Sequence, residues 1–313
     1  MASSPPRTGL VVATTVAALV AFAANSVLCR VALGGATIDP MAFSVLRVGS
    51  GAAMLLLLVA LPGRRRAHAS TRLALDWPAA AMLALYAVPF SLAYTRLTTG
   101  TGALLLFAAV QATMIAGALR LGERPRPLQW TGIALALAGF GVLVAPGVEA
   151  PSAAGAFSMA VAGVAWGLYS LRGRRAADAL AATAASFTAA TPLVVAPALL
   201  LLVGAAASSL AGVAVPELLR IAVSLEGALL AIASGAVASA LGYVAWYTAL
   251  RGLSAGQAAA VQLAVPVLAA AGGIVVLGEA LTPRLVVSAV VILGGIALAV
   301  LGTTPRRRTP PPS

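Results

Sequence analysis

The chain has 313 residues, of which 61% are hydrophobic and only 9% charged, and its mean hydropathy is +1.02. A soluble domain carries roughly a quarter charged residues and could not cover this much apolar surface, so the chain belongs in a lipid bilayer. The net charge of +12 does not point to nucleic acid, because the 20 basic residues are all arginine and mostly cluster between apolar runs, as orientation in a membrane requires.

A helix needs about 20 apolar residues to span the hydrocarbon core. Charge, proline and glycine divide the chain into ten such runs, at roughly 9–33, 40–62, 74–95, 100–120, 127–145, 153–171, 180–206, 227–249, 255–277 and 284–302. The first is too long for a signal peptide and is followed by further spans, so it reads as a retained helix. It carries Asn25 and Ser26, and the second span carries Arg47 about two turns from its start. An intramembrane arginine is expensive without a partner. It is expected either to snorkel outward or cap carbonyls, or to close an external gate or attract a carboxylate. Arg30 lies nearer its helix end and reads as interfacial.

The third span holds Tyr86 and Tyr94, the latter placed as an interfacial anchor, and the fourth holds Gln111. Trp166 and Tyr169 of the sixth span are one turn apart, as are Tyr243 and Trp246 of the eighth, so each pair shares a face. Pro192 and Pro197 interrupt the seventh run, and the ninth carries Gln262. Neutral polar groups in hydrocarbon need partners between helices or in a wet cavity. Asn25, Tyr86, Gln111, Trp166, Tyr169, Tyr243, Trp246 and Gln262 are therefore the candidate cavity-lining residues for a small-molecule substrate, and Arg47 is the candidate gate. All eight acidic residues fall in loops or at span ends, so a carboxylate proton switch inside the membrane is not expected.

Two phrases punctuate the chain alike: LGERPRPLQWTG at 121–132 and LGEALTPRLVVS at 277–288. The glycine suits a helix C-cap and the later proline a first helical turn. A carboxylate between them favours a helix N-terminus. Gly122, Glu123, Gly278 and Glu279 thus read as structural residues of a helix hairpin, with a gating or coupling role for the two glutamates as the alternative. Aligned without gaps, 97–145 and 253–301 match at twelve of forty-nine positions, Pro127 and Pro283 among them. The chain therefore divides into two halves of five spans. Five is odd, so the second half enters the membrane inverted, a plan typical of secondary transporters with a midplane site. With both termini cytoplasmic, fifteen of the twenty arginines fall on the inside.

These features resemble the EamA-type branch of the drug/metabolite transporter superfamily: five spans per half, the Gly-Glu between the fourth and fifth, SVLRVGSGAAMLLLL in the second span, and Pro266 within QLAVPVLAAAGGIVVLGE. The resemblance runs from about 9 to 302. It implies an all-α polytopic membrane protein, with ten transmembrane helices in two inverted repeats working by alternating access. Residues 1–8 form a cytoplasmic segment, 9–146 the first repeat, 152–302 the second and 303–313 a disordered basic tail. It further implies export of a small metabolite such as an amino acid or related amphiphile. Two departures make the halves unequal: Val110 stands where the repeat would place the counterpart of Pro266, and no arginine in the second half answers Arg47.

One cysteine and one histidine support neither a disulfide nor a metal site, and no cofactor is expected. Catalytic constellations such as HExxH are missing, so the chain is not read as an enzyme. A channel or scaffolding protein is the alternative class. The expected location is the inner (cytoplasmic) membrane, with lipid as partner and a homodimer left open. Small residues at helical spacing, Gly132/Ala136 and Gly295/Ala299 among them, allow close helix packing.

Overall fold

A computed structural model describes residues 8–61, 75–120, 126–147, 150–173, 176, 178–210, 222–253, 258 and 261–301. The basic tail, Gly122 and Glu123, and the Arg64–Arg66 cluster lie outside the described residues. Among the described residues the main helices are, in order, α1 (Thr8–Gly34), α2 (Pro40–Ala60), α3 (Trp77–Tyr94), α4 (Thr99–Arg120), α5 (Pro127–Val144), α6 (Ala153–Gly173), α7 (Ala179–Leu210), α8 (Leu225–Leu250), α9 (Ala264–Leu277) and α10 (Pro283–Leu301). Eight, α1 to α8, are long and apolar enough to cross a membrane, and α9 and α10 give shorter apolar stretches within the described residues. No strand is present among the described residues, apart from an isolated bridge between Ile38 and Val223.

Local chemistry sets the helix ends. Asp39 accepts from the Met41 and Ala42 amides at 2.8 and 3.0 Å ahead of Pro40, and Asp76 accepts from the Ala79 amide at 3.1 Å. These are N-caps that satisfy otherwise orphaned donors. Gly278 ends α9 with φ +64, a left-handed conformation that only glycine adopts cheaply, and Pro283 opens α10. The two prolines expected to interrupt the seventh run do not: Pro192 and Pro197 lie inside a continuous α7.

The two halves interlock. α1 packs on α8 and α9 of the other half, and α6 packs on α3 and α4. α2 lies against α7 and α8, and α7 against α2 and α3, while α4 meets α9 and α5 meets α10. Exchanging each helix with the one five places along maps this pattern onto itself. The α5–α10 pair gives the sense of the relation. A Cβ on Gly132 would come within 2.5 Å of the Ala299 nitrogen, and one on Gly139 within 2.9 Å of Ile292, so the two helices run antiparallel. The Gly132/Ala136 and Gly295/Ala299 pairs face each other here, because a Cβ on Gly295 would in turn meet the Ala136 nitrogen at 2.6 Å. Large apolar side chains such as Phe157, Leu200 and Val203 point outward, as a lipid-facing surface requires.

The helices alternate in direction, giving a "Gly34 end" and a "Gly173 end". At the Gly34 end the Ser224 amide donates to the Thr37 carbonyl at 2.9 Å, and Arg284 donates to the Ala145 carbonyl at 2.6 Å.

Candidate functional site

A polar and aromatic cluster occupies the interior between the halves. α1 supplies Phe22, Asn25 and Ser26, α2 supplies Arg47, α3 supplies Tyr86 and Phe90, α6 supplies Trp166, and α8 supplies Tyr243. Arg47 is 2% exposed, so it neither snorkels outward nor sits at an interface. Its Nη2 donates to the Tyr86 hydroxyl at 2.9 Å and its Nε to Ser239 Oγ at 3.4 Å. The guanidinium lies 5.0 Å from the Tyr86 ring centroid and 4.7 Å from that of Phe90, contacts that favour a desolvated cation. No ion pair to a carboxylate is found for it among the described residues. Its Nη1 has no hydrogen-bond partner, and neither has the buried Tyr243 hydroxyl.

α8 is adapted to this site. Its central segment, Ala233–Leu241, is a π-helix, a geometry that is rare and concentrated at functional sites. Ser234 and Ser239 are five residues apart, and in an α-helix would point about 140° away from each other. The wider turn brings both inward. Ser234 donates to Asn25 Oδ1 at 2.5 Å, Asn25 Nδ2 donates to the Tyr86 hydroxyl at 3.4 Å, and Ser239 accepts from Arg47. One chain of hydrogen bonds therefore links α1, α2, α3 and α8.

Aromatic rings complete the site. Phe22 meets Trp166, Tyr243 and Trp246 edge-on, at centroid distances of 6.1, 5.9 and 5.9 Å. Trp166 also packs at a tilt against Tyr86, Tyr169 and Tyr243, at centroid distances of 5.1, 5.5 and 4.8 Å. A central cavity lined by Phe22, Asn25, Ser26, Tyr86, Phe90, Leu106, Phe107, Trp166, Ala238 and Tyr243 has a volume of about 20 Å³, room for a water molecule or two. A second cavity of about 20 Å³, towards the Gly173 end, is lined by Met114, Ser170, Trp246, Tyr247, Leu250, Ala258 and Gln262. Phe22 and Trp246, in contact, stand between the two.

Of the residues expected to line a cavity, Asn25, Tyr86, Trp166 and Tyr243 come together at the first cavity, and Trp246 and Gln262 at the second. Tyr169 reaches the cluster through Trp166. Gln111 is buried with its Nε2 unpartnered, as is Gln262 Oε1. Tyr94, expected at an interface, is fully buried against Phe90, at a centroid distance of 4.8 Å. Ser234 and Ser239 were not legible as polar members of the site, because a spacing of five residues suggests different faces of an α-helix. Phe22, three residues before Asn25 and so on its face, was detectable.

Two ion pairs lie near the ends. Glu279 reaches a different helix start from the one its hairpin position suggests. Its carboxylate accepts from the Thr99 amide, which opens α4, at 2.8 and 3.0 Å, and pairs with Arg30 at 3.3 Å. Arg30 also donates to the Tyr94 carbonyl at 2.9 Å, so α1, α3, α4 and α9 are fastened together at the Gly34 end. At the Gly173 end Arg172 donates to Asp76 at 2.6 Å, and this hydrogen bond holds the Asp76 carboxyl below its usual range. Asp39, Asp76, Asp178, Glu226 and Glu279 all sit at helix ends. No group of three metal-ligating side chains is found among the described residues.

The EamA-like transporter family model matches this chain twice, over residues 9–145 and 153–301. The uncharacterized protein PA1977 of Pseudomonas aeruginosa is 46% identical over 290 residues, covering 91% of this chain and 92% of that protein. A solved crystal structure of another protein superposes with a TM-score of 0.60 at 22% identity, covering 91% of this chain and 97% of that one, a likeness of fold alone.

Proposed function

Because the chain belongs to the EamA-like transporter family, we propose that it is a secondary carrier working by alternating access and exporting a small metabolite. An amino acid or related amphiphile fits best. The observation that carries this reading is the interlock of two antiparallel halves around a buried polar and aromatic cavity, the place where inverted-repeat transporters hold substrate. In alternating access one half rocks against the other, so that the cavity opens to one side at a time. The Arg30–Glu279–Thr99 cluster closes the Gly34 end in this scheme, and the Phe22–Trp246 contact separates the cavity from the Gly173 end. The arginine distribution supports a cytoplasmic Gly173 end and cytoplasmic termini in the inner membrane.

The test is flux. Proteoliposomes loaded with amino acids, nucleosides, sugars and cationic drugs are followed by mass spectrometry against protein-free vesicles. The reading expects saturable loss of one chemical class. Uniform retention, with folded protein shown in parallel, would exclude a carrier for these classes.

A further inference from the structure

We propose that Arg47 is the anion-binding residue of a carboxylate site at the central cavity, and that the transported solute is a monocarboxylate with an apolar or aromatic body. The proposal rests on the carrier reading above and names the chemistry of its site. A guanidinium has five N–H donors, yet Arg47 makes two hydrogen bonds, both to hydroxyls. Its Nη1 is buried and unpartnered, and so is the Tyr243 hydroxyl. Leaving a charge so placed is strongly unfavourable unless something completes it.

Several observations favour a carboxylate. The guanidinium lies against Tyr86 and Phe90, whose rings line the cavity, and no acid faces it from α1, α3 or α8. One positive charge matches a monoanion, and a planar guanidinium edge matches a carboxylate with its two oxygens. The Asn25 and Ser239 hydrogen bonds lock the Tyr86 hydroxyl and the Arg47 side chain in place, so the donors are preorganised. Arg47 stands behind the Tyr86 and Phe90 rings, and the wall in front pairs polar Asn25, Ser26 and Tyr243 with apolar Phe22, Phe107 and Trp166, which suit an apolar or aromatic body. The cavity's volume of about 20 Å³ requires its wall to move as solute enters, and the Phe22–Trp246 contact that separates it from the second cavity is placed to do so.

The experiment measures binding to the full-length protein in detergent, by thermal shift and by tryptophan fluorescence, Trp166 serving as the local reporter. The probes are phenylalanine, leucine, 3-phenylpropionate and pyruvate, each compared with its carboxamide. At least one acid is expected to bind saturably and its amide about tenfold more weakly or not at all. Arg47→Gln is expected to lower the acid's affinity about 30-fold or more, as loss of one partner of a buried charge pair does. Arg47→Lys recovers part of it. Tyr243→Phe keeps the ring and removes only the hydroxyl, so it serves should Arg47→Gln fail to fold, and it is expected to weaken the acid severalfold. Equal binding of acid and amide, no binding by any of the four acids, or unchanged affinity in both Arg47→Lys and Tyr243→Phe overturns the proposal. Acid binding without flux would instead overturn the carrier reading and leave the site standing. Flux of neutral solutes, unaffected by Arg47→Gln, would do the reverse.

Discussion

Replacing Glu279 by glutamine should loosen the Gly34 end, and the native cysteine can report it. The carboxylate accepts from the Thr99 amide at 2.8 and 3.0 Å and from Arg30 at 3.3 Å, with side chains 11% and 24% exposed. Glutamine keeps an oxygen for the Thr99 amide but removes the charge from both contacts. A hydrogen bond to a charged group is worth about 1.5–3 kcal/mol against about 1 for a neutral one. Charge at a helix N-terminus adds about 0.3–1 kcal/mol. The variant should therefore lose about 1–2 kcal/mol of closure, a five- to thirtyfold rise in the open population. Cys29, the only cysteine, is fully buried one residue from Arg30, so maleimide reaches it only when this end opens. Its labelling rate should rise by that factor, and Arg30→Gln should produce a similar rise. Combining the two should give less than the sum of the single effects, since they share the Arg30–Glu279 contact while each has one of its own, to the Tyr94 carbonyl and the Thr99 amide. If labelling stays at the wild-type rate in both folded variants, this cluster does not hold the end shut.

Packing gives a second expectation: Gly132→Leu drives a side chain into the Ala299 backbone and should lower thermal stability in detergent by about 1–3 kcal/mol. Gly141→Leu, with nothing within 4 Å of its Cβ, should leave the melting temperature nearly unchanged. Gln111→Leu and Gln262→Leu should each reduce flux while inserting normally, and wild-type flux in both would remove them from the transport path. The Asp76 carboxyl is lowered by Arg172, so its pairing is present above the ordinary carboxylate range and is lost only as pH falls through the lowered value. With the described acids all at helix ends, flux between about pH 6 and 8 should be insensitive to an imposed proton gradient. A steep dependence would locate a titrating group that this account lacks.

Span boundaries were legible because the chain marks them chemically, with Asp39–Pro40, Asp76 and Pro127, and with Gly278 followed by Pro283. The repeat was legible through the same phrases. The inward faces were not, because helices that are apolar all round show no amphipathic stripe. Tyr94 therefore read as an anchor although it is buried, and Arg47 as a group with several destinations although it points inward. The partner of Glu279 lies 180 positions away at Thr99, a contact no local phrase encodes. The π segment was hidden for a different reason: Ser234 and Ser239 share a face only once the helix widens.

If one internal site serves the two ends of the bundle in turn, counterflow should reveal it. Proteoliposomes are preloaded with an unlabelled solute chosen from the efflux panel, and the same labelled solute is added outside at low concentration. A carrier with alternating access should accumulate label transiently above its equilibrium level, and Arg47→Gln should abolish the overshoot if the solute is a carboxylate. Simple equilibration, with no overshoot for any solute that crosses, would contradict the account and favour a channel.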